Sequence, residues 1–215
     1  MWSLILKDLT LMRASLLLYL VLAATFPLLF GRTPEGAMVI ALWSFILPYM
    51  VVGRLCYQEE LNRGLAFLRS LPLRPATIVW SKFVGVLALF GFFSLTLAGA
   101  GSLGKVWGSL GRGPDIPPAA LVLLPMGLAM VLSGLILLVF FVWDYRRAGY
   151  VYVLPLLGLL PAAFPDRIGP LLQRAAENLG RNAQLYLGGF ILVALAAYLL
   201  LGWVSAIAFG RKDVG

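Results

Sequence analysis

Apolar residues run along this chain in long unbroken stretches, separated by short polar intervals. Six stretches are close to or beyond the roughly 18–20 residues that cross a bilayer as a helix. They cover about 14–30, 36–57, 83–103, 119–143, 148–164 and 185–209. The first and fifth sit at the lower length limit for spanning. The pattern predicts an all-α integral membrane protein with six transmembrane helices in a single domain over residues 1–215. Pro48, Pro125, Pro155 and Pro161 fall inside spans two, four and five. A membrane helix tolerates them where neighbours satisfy the carbonyls they free.

The polar intervals carry their own periodicities. Over residues 2–13, Leu4, Ile5, Leu9 and Met12 alternate with Lys7, Asp8 and Arg13. This predicts an interfacial elbow helix entering the membrane sideways. A cleaved signal peptide would also start basic and turn apolar, but Asp8 and the polar lead-in disfavour it. Cys56–Lys82 is the longest polar interval. In it Leu61, Leu65 and Leu68 share one helical face, and Glu59 precedes Arg63 by four, the favourable order for a helical ion pair. Glu59 and Glu60 are expected in a helical first turn, where carboxylates are favoured. Ser70-Leu71-Pro72 should stop the helix, and Arg74-Pro75 should start the next one, since proline suits a first turn. The sequence therefore predicts a short polar segment, 58–75, held between spans two and three. Between spans five and six, Ile168, Leu171, Leu172, Ala175 and Leu179 line one face, while Gln173, Arg174, Glu177 and Arg181 take the other. That predicts an amphipathic helix on the outer surface, either resting on lipid or closing over an exit path.

Composition agrees with a membrane location. The chain is 61% hydrophobic and 12% charged, with mean hydropathy +0.95, whereas soluble domains are about a quarter charged. Its formal charge of +8 reflects basic loops that set topology and meet anionic lipid, not a nucleic-acid surface. With the amino terminus inside, Lys7, Arg13, Arg54, Arg63, Arg69, Arg74, Lys82, Arg146, Arg147, Arg211 and Lys212 lie on the inner side, eleven residues. The outer side holds Arg32, Lys105, Arg112, Arg167, Arg174 and Arg181, six residues. Both termini and the 58–75 segment are thus expected in the cytoplasm.

Catalytic chemistry finds little support. One cysteine excludes an internal disulfide, and the absence of histidine removes the commonest metal ligand and general base. Gly99 to Lys105 has the spacing of a phosphate-binding loop, but Val106 stands where Ser or Thr would hold magnesium, and the run ends a span. Glu59-Glu60-Leu61-Asn62-Arg63 has two residues before its arginine, where intramembrane CAAX-type proteases have three, and the histidines those enzymes need are missing. Every Asp, Glu, Lys and Arg can be placed in a loop or at a span end. The spans therefore offer no mid-membrane ion-coupling group of the kind carriers use. Gly85, Gly91, Gly99, Gly188-Gly189 and Gly202 fit either close helix packing or the ordinary glycine content of membrane helices.

The polar interval carries a resemblance. Glu59-Glu60 with Arg63-Gly64 and Leu68, then Ser70-Leu71-Pro72-Leu73-Arg74, then Ile78-Val79 and Ser81-Lys82 is similar to the ABC-2 type permease subunits of bacterial ABC exporters. Small members of that kind include permeases for amphipathic peptides such as phenol-soluble modulins, and lantibiotic-immunity or drug-export permeases. Pro75 is an addition to the pattern, expected to bend the approach to span three. The resemblance implies a permease without catalytic residues, in the bacterial cytoplasmic membrane, paired with a second identical or related permease. It also implies two copies of a separate ATPase that holds ATP and Mg. Glu59, Glu60, Leu61, Arg63, Leu65, Leu68 and Arg69 would form the ATPase-coupling helix. Asp144, Arg146 and Arg147 would form a second contact, unless the two arginines only fix orientation. Trp43, Phe45, Tyr49, Tyr150 and Tyr152, on spans two and five, would line a path for a hydrophobic or amphipathic substrate, unless they face lipid or neighbouring helices. The alternative is a membrane scaffold or immunity protein that binds a partner without transport.

Overall fold

The computed structural model describes residues 2–30, 36–62, 64, 68, 73–107, 118–143, 145–158 and 183–211. Among these it has six long helices and no strand: α1 (Trp2–Phe30), α2 (Gly36–Leu61), α3 (Pro75–Trp107), α4 (Pro118–Val142), α5 (Tyr145–Gly158) and α6 (Ala183–Arg211). Five contain a segment long and apolar enough to cross a membrane: Trp2–Phe26, Ile40–Leu61, Pro75–Ala100, Val122–Val142 and Tyr186–Arg211. The fold is all-α and multi-spanning. The fifth expected span, 148–164, is described only to Gly158, as α5; the rest of it lies outside the described residues, as does the outer amphipathic segment around 168–181.

Two boundaries differ from the sequence reading. α1 is one helix from Trp2 to Phe30, so the elbow is not separated from the first span. Ala14-Ser15-Leu16-Leu17 holds no glycine or proline to break it. Its 29 residues reach about 44 Å, well beyond a hydrocarbon core of roughly 30 Å. Ile5, Asp8 and Met12 form its buried stripe, so the amino-terminal half packs on the bundle. The second difference is at α2, which continues to Leu61. Glu59 and Glu60 are therefore in the last turn of a helix, not the first. Asn62 closes that end, its backbone N–H and its side-chain amide both donating to the Gln58 carbonyl, at 3.1 and 2.8 Å. Pro75 is the first residue of α3, as expected.

α4 is the central helix, touching α2, α3, α5 and α6, while α1 packs against α2 and α3. Close approach of α4 to α6 is set by missing side chains. A Cβ at Gly127 would lie 2.6 Å from the Phe190 ring, and one at Gly134 would lie 2.9 Å from Leu201. Gly202 on α6 plays the same part toward α3, 3.0 Å from the Phe83 ring. Without a strong hydrophobic drive in lipid, such contacts carry much of the packing energy. By contrast, a Cβ at Gly91, Gly188 or Gly189 would meet nothing within 4 Å. The Tyr198 ring of α6 packs tilted against that of Phe83, centroids 5.0 Å apart, and its hydroxyl donates a 2.9 Å hydrogen bond to the Phe83 carbonyl. The outward faces are apolar: Leu17 and Leu18 on α1, Leu95 on α3, and Leu192, Val193 and Leu200 on α6 are exposed. Apolar faces of that character fit lipid or another membrane helix.

Gly134→Leu should therefore force α4 and α6 apart at a cost of about 1–3 kcal/mol, the usual range for overpacking. Thermal unfolding in detergent should show a lower midpoint for it than for Gly188→Leu. Equal midpoints would contradict this assignment of the packing glycines.

Candidate functional site

The polar end of the bundle is built around one lysine. Lys82 is in the second turn of α3, on a stripe with Ile78, Val79, Val86 and Phe90, all buried. Its ammonium donates to Asp8 Oδ2 of α1 at 2.6 Å and to Glu59 Oε1 of α2. Lys7 reaches the same Glu59 oxygen at 2.9 Å and lies 3.5 Å from Asp8 Oδ1. Side-chain exposure is 2% for Lys82, 3% for Glu59 and 9% for Asp8, against 32% for Lys7. Two cations meet two anions, so the cluster is neutral as a whole. That neutrality is why helices can bring it inside, since an unpaired buried charge is very costly.

All three buried charges lie near span ends, as expected, but they are not left in loops or toward solvent. Asp8, Glu59 and Lys82 are inside helices and between them. The position of Glu59 adds a second constraint. A carboxylate in a helix's last turn meets the negative end of the helix dipole, unfavourable by roughly 0.3–1 kcal/mol. The two ammonium groups offset that. Glu59 also needs Gly64: a Cβ there would collide with its carboxylate. Among the described residues, Glu59 Oε2 and Asp8 Oδ1 accept no hydrogen bond.

The expected coupling residues divide by environment. Glu60 and Leu61 are exposed, Leu61 at 63%. Glu59 is buried in the cluster, and Leu68 is buried in the apolar core at 1% exposure. Leu61 and Leu68 thus do not present one common surface. Arg63, Leu65, Arg69 and Asp144 lie outside the described residues. Arg146 and Arg147, at the start of α5, are exposed. They share an end with the last turn of α2, because Tyr145 packs on Tyr57 with ring centroids 5.9 Å apart. The two expected contact regions are therefore neighbours.

The aromatic path residues also divide. Phe45, Tyr49 and Tyr152 form one stack: Phe45–Tyr49 centroids are 5.4 Å apart and Tyr49–Tyr152 centroids 4.9 Å, nearly parallel. Phe45 and Tyr49 are fully buried. Trp43 stacks instead on Phe26 of α1, at 4.0 Å. Tyr150 is exposed on the bundle surface. A physical reason for the stack lies in Pro155. Having no N–H, it leaves the Val151 carbonyl without its usual helical partner. Tyr49 supplies a hydroxyl there, 2.9 Å from the Tyr152 carbonyl and 3.4 Å from that of Val151. Gly53, one turn further along α2, makes room for the Tyr152 ring.

Sequence reasoning passed over Lys7, Asp8 and Lys82 as site residues. The signal was present: Asp8 interrupts the apolar stripe Ile5–Met12, and Lys82 interrupts Ile78–Val86, both at helical spacing. Among the described residues no group of three His, Cys, Asp or Glu could hold a metal ion.

Lys82→Met should leave two carboxylates buried with only Lys7 beside them. A loss of about 3–5 kcal/mol is expected for removing one partner of a buried ion pair. Lys7→Met, at a partly exposed position, should cost about 1 kcal/mol or less. Thermal unfolding of the two variants in one detergent tests the ranking; equal losses would contradict it. Tyr49→Phe removes a hydrogen bond worth about 0.5–1.5 kcal/mol. Its unfolding midpoint should fall measurably, and an unchanged one would show that the Val151 and Tyr152 carbonyls find another donor.

The sequence profile described as ABC-2 family transporter protein matches residues 3–208. No individually curated protein matches the chain.

Proposed function

Because the chain belongs to the ABC-2 transporter family, we propose that it is the permease subunit of an ATP-driven exporter, working as a dimer on a separate ATPase. The family's membrane subunits are non-catalytic permeases that partner with ABC ATPases and often pair with one another. The observation that carries the reading is that match across nearly the full length. A second observation supports it: the exposed Glu60 and Leu61 and the exposed Arg146 and Arg147 occupy one end of the bundle, directly outside a buried charge cluster.

In this reading the shared end is cytoplasmic and the ATPase seats against the last turn of α2, the segment through Arg63, Leu65 and Arg69, and the residues Asp144, Arg146 and Arg147. Leu68 holds the segment to the core, and Glu59 acts from inside through Lys82. ATP binding closes the ATPase dimer and displaces this end. Because α1, α2 and α3 are tied together there, the displacement tilts three helices rather than one loop. Spans two and five, with Phe45, Tyr49 and Tyr152, then shift at the path. The substrate is hydrophobic or amphipathic and enters from the bilayer.

The test uses exposed residues, so that folding is left intact. Leu61→Asp together with Arg146→Glu and Arg147→Glu should lower the ATP hydrolysis of the copurified complex roughly tenfold. Loss of one interface hot spot, worth about 1.4 kcal/mol or more, suffices for that. Unchanged assembly and unchanged turnover would remove this end as the docking surface. A stable complex whose ATP hydrolysis ignores every amphipathic substrate would instead support a scaffold or immunity role.

A further inference from the structure

A cavity of about 220 Å³ lies among α1, α2, α4 and α5, close to the polar end. Its wall holds four tyrosines, Tyr19, Tyr57, Tyr145 and Tyr152, and one guanidinium, that of Arg54. Among the described residues no carboxylate lines it. Among the described residues Arg54 has no acidic partner within ion-pair distance, and its guanidinium sits over the Tyr57 ring, 5.3 Å from the centroid. None of the four tyrosine hydroxyls has a hydrogen-bond partner among those residues. Met50 and Ile136 supply apolar wall.

The chemistry of this lining is one-sided. A guanidinium offers five donors and no acceptor, and each phenol can donate. An oxygen-rich anion is the complement, and planar arginine suits phosphate and carboxylate alike. Size narrows the occupant: drug-sized ligands need about 300–1,000 Å³, so this space takes a headgroup or a chain end. Position narrows it further. Arg54 precedes Glu59 by five residues, about 7–8 Å along α2, which puts it at the depth of a membrane interface if the charge cluster marks the span end. Tyrosines concentrate at that level. Met50 and Tyr57 are exposed on the bundle surface, so the cavity reaches the face where lipid would lie.

We propose that this cavity binds the anionic headgroup of an amphiphile, with Arg54 as the charge partner, tyrosines as donors and the apolar chain left in the bilayer. The inference deepens the transport reading by naming a ligand class, but it requires no ATPase. Two sources share the chemistry: a resident anionic phospholipid and an exchanging single-chain amphiphile.

The experiment is native mass spectrometry of the purified full chain, released from nanodiscs of equal phosphatidylglycerol and phosphatidylcholine. Retained phosphatidylglycerol should exceed phosphatidylcholine at least fivefold, near one per chain. Arg54→Gln should abolish the excess, Arg54→Lys should keep part of it, and Arg211→Gln, at the exposed end of α6, should leave it unchanged. Dodecyl phosphate added to the wild-type chain separates the sources. Displacement identifies an exchanging amphiphile and persistence a resident lipid, and either result upholds the headgroup chemistry. Equal retention of the two lipids, an Arg54→Gln variant with the full excess, or inorganic phosphate competing as well as dodecyl phosphate would overturn the proposal. Since no nucleotide is involved, failure here leaves the coupling surface untouched, and failure of coupling leaves this result standing.

Discussion

An ammonium group held between two carboxylates, away from water, ties three helices at one end of the bundle. Lys82 comes from α3, Asp8 from α1 and Glu59 from α2. Each charge is tolerable only because the others are present. Remove the lysine and the ends of α1 and α2 repel; remove one carboxylate and the balance of the site fails. Apolar contacts elsewhere in the bundle resist sliding far less specifically, since lipid offers a helix surface nearly equivalent contacts. The cluster is therefore the feature that fixes the mutual register of these three helices.

That arrangement gives a mechanical reading to the chain's polar end. Glu60 and Leu61 are exposed one and two residues after Glu59, and Asn62 closes the helix. A partner that grips this exposed turn is one residue from a buried tie to two further helices. Force applied there is shared among α1, α2 and α3. At the other side of α2, the Phe45–Tyr49–Tyr152 stack connects the same helix to α5, through a hydroxyl that satisfies carbonyls near Pro155. Helix α2 thus joins the polar end to the aromatic interior.

Much of this was legible in sequence and some was not, for definite reasons. Hydropathy finds spans because each needs a long apolar run, and five of the six emerge as helices long and apolar enough to cross. Pro75 marks the start of α3 because its ring suits a first turn. The motif around Glu59–Lys82 pointed to the ABC-2 family, to which the chain belongs. Periodicity does not carry across a helix end for Leu61 and Leu68: they have helical spacing, yet α2 ends at Leu61, which is exposed, and Leu68 is in the core, while Leu65 lies outside the described residues. The same error put Glu59 and Glu60 at a helix start. The charge cluster was hidden because its members are 23 and 74 positions apart, and no local pattern pairs residues at that distance.

If the buried charges tie the ends of α1, α2 and α3, those ends should behave as one mechanical unit. Amide hydrogen exchange in the detergent-solubilised chain, comparing wild type with Glu59→Gln, tests this. Peptides covering residues 2–12, 53–62 and 75–86 should lose protection together, by similar factors, while those in α6 hold theirs. A loss confined to 53–62, with the ends of α1 and α3 as protected as before, would contradict the claim.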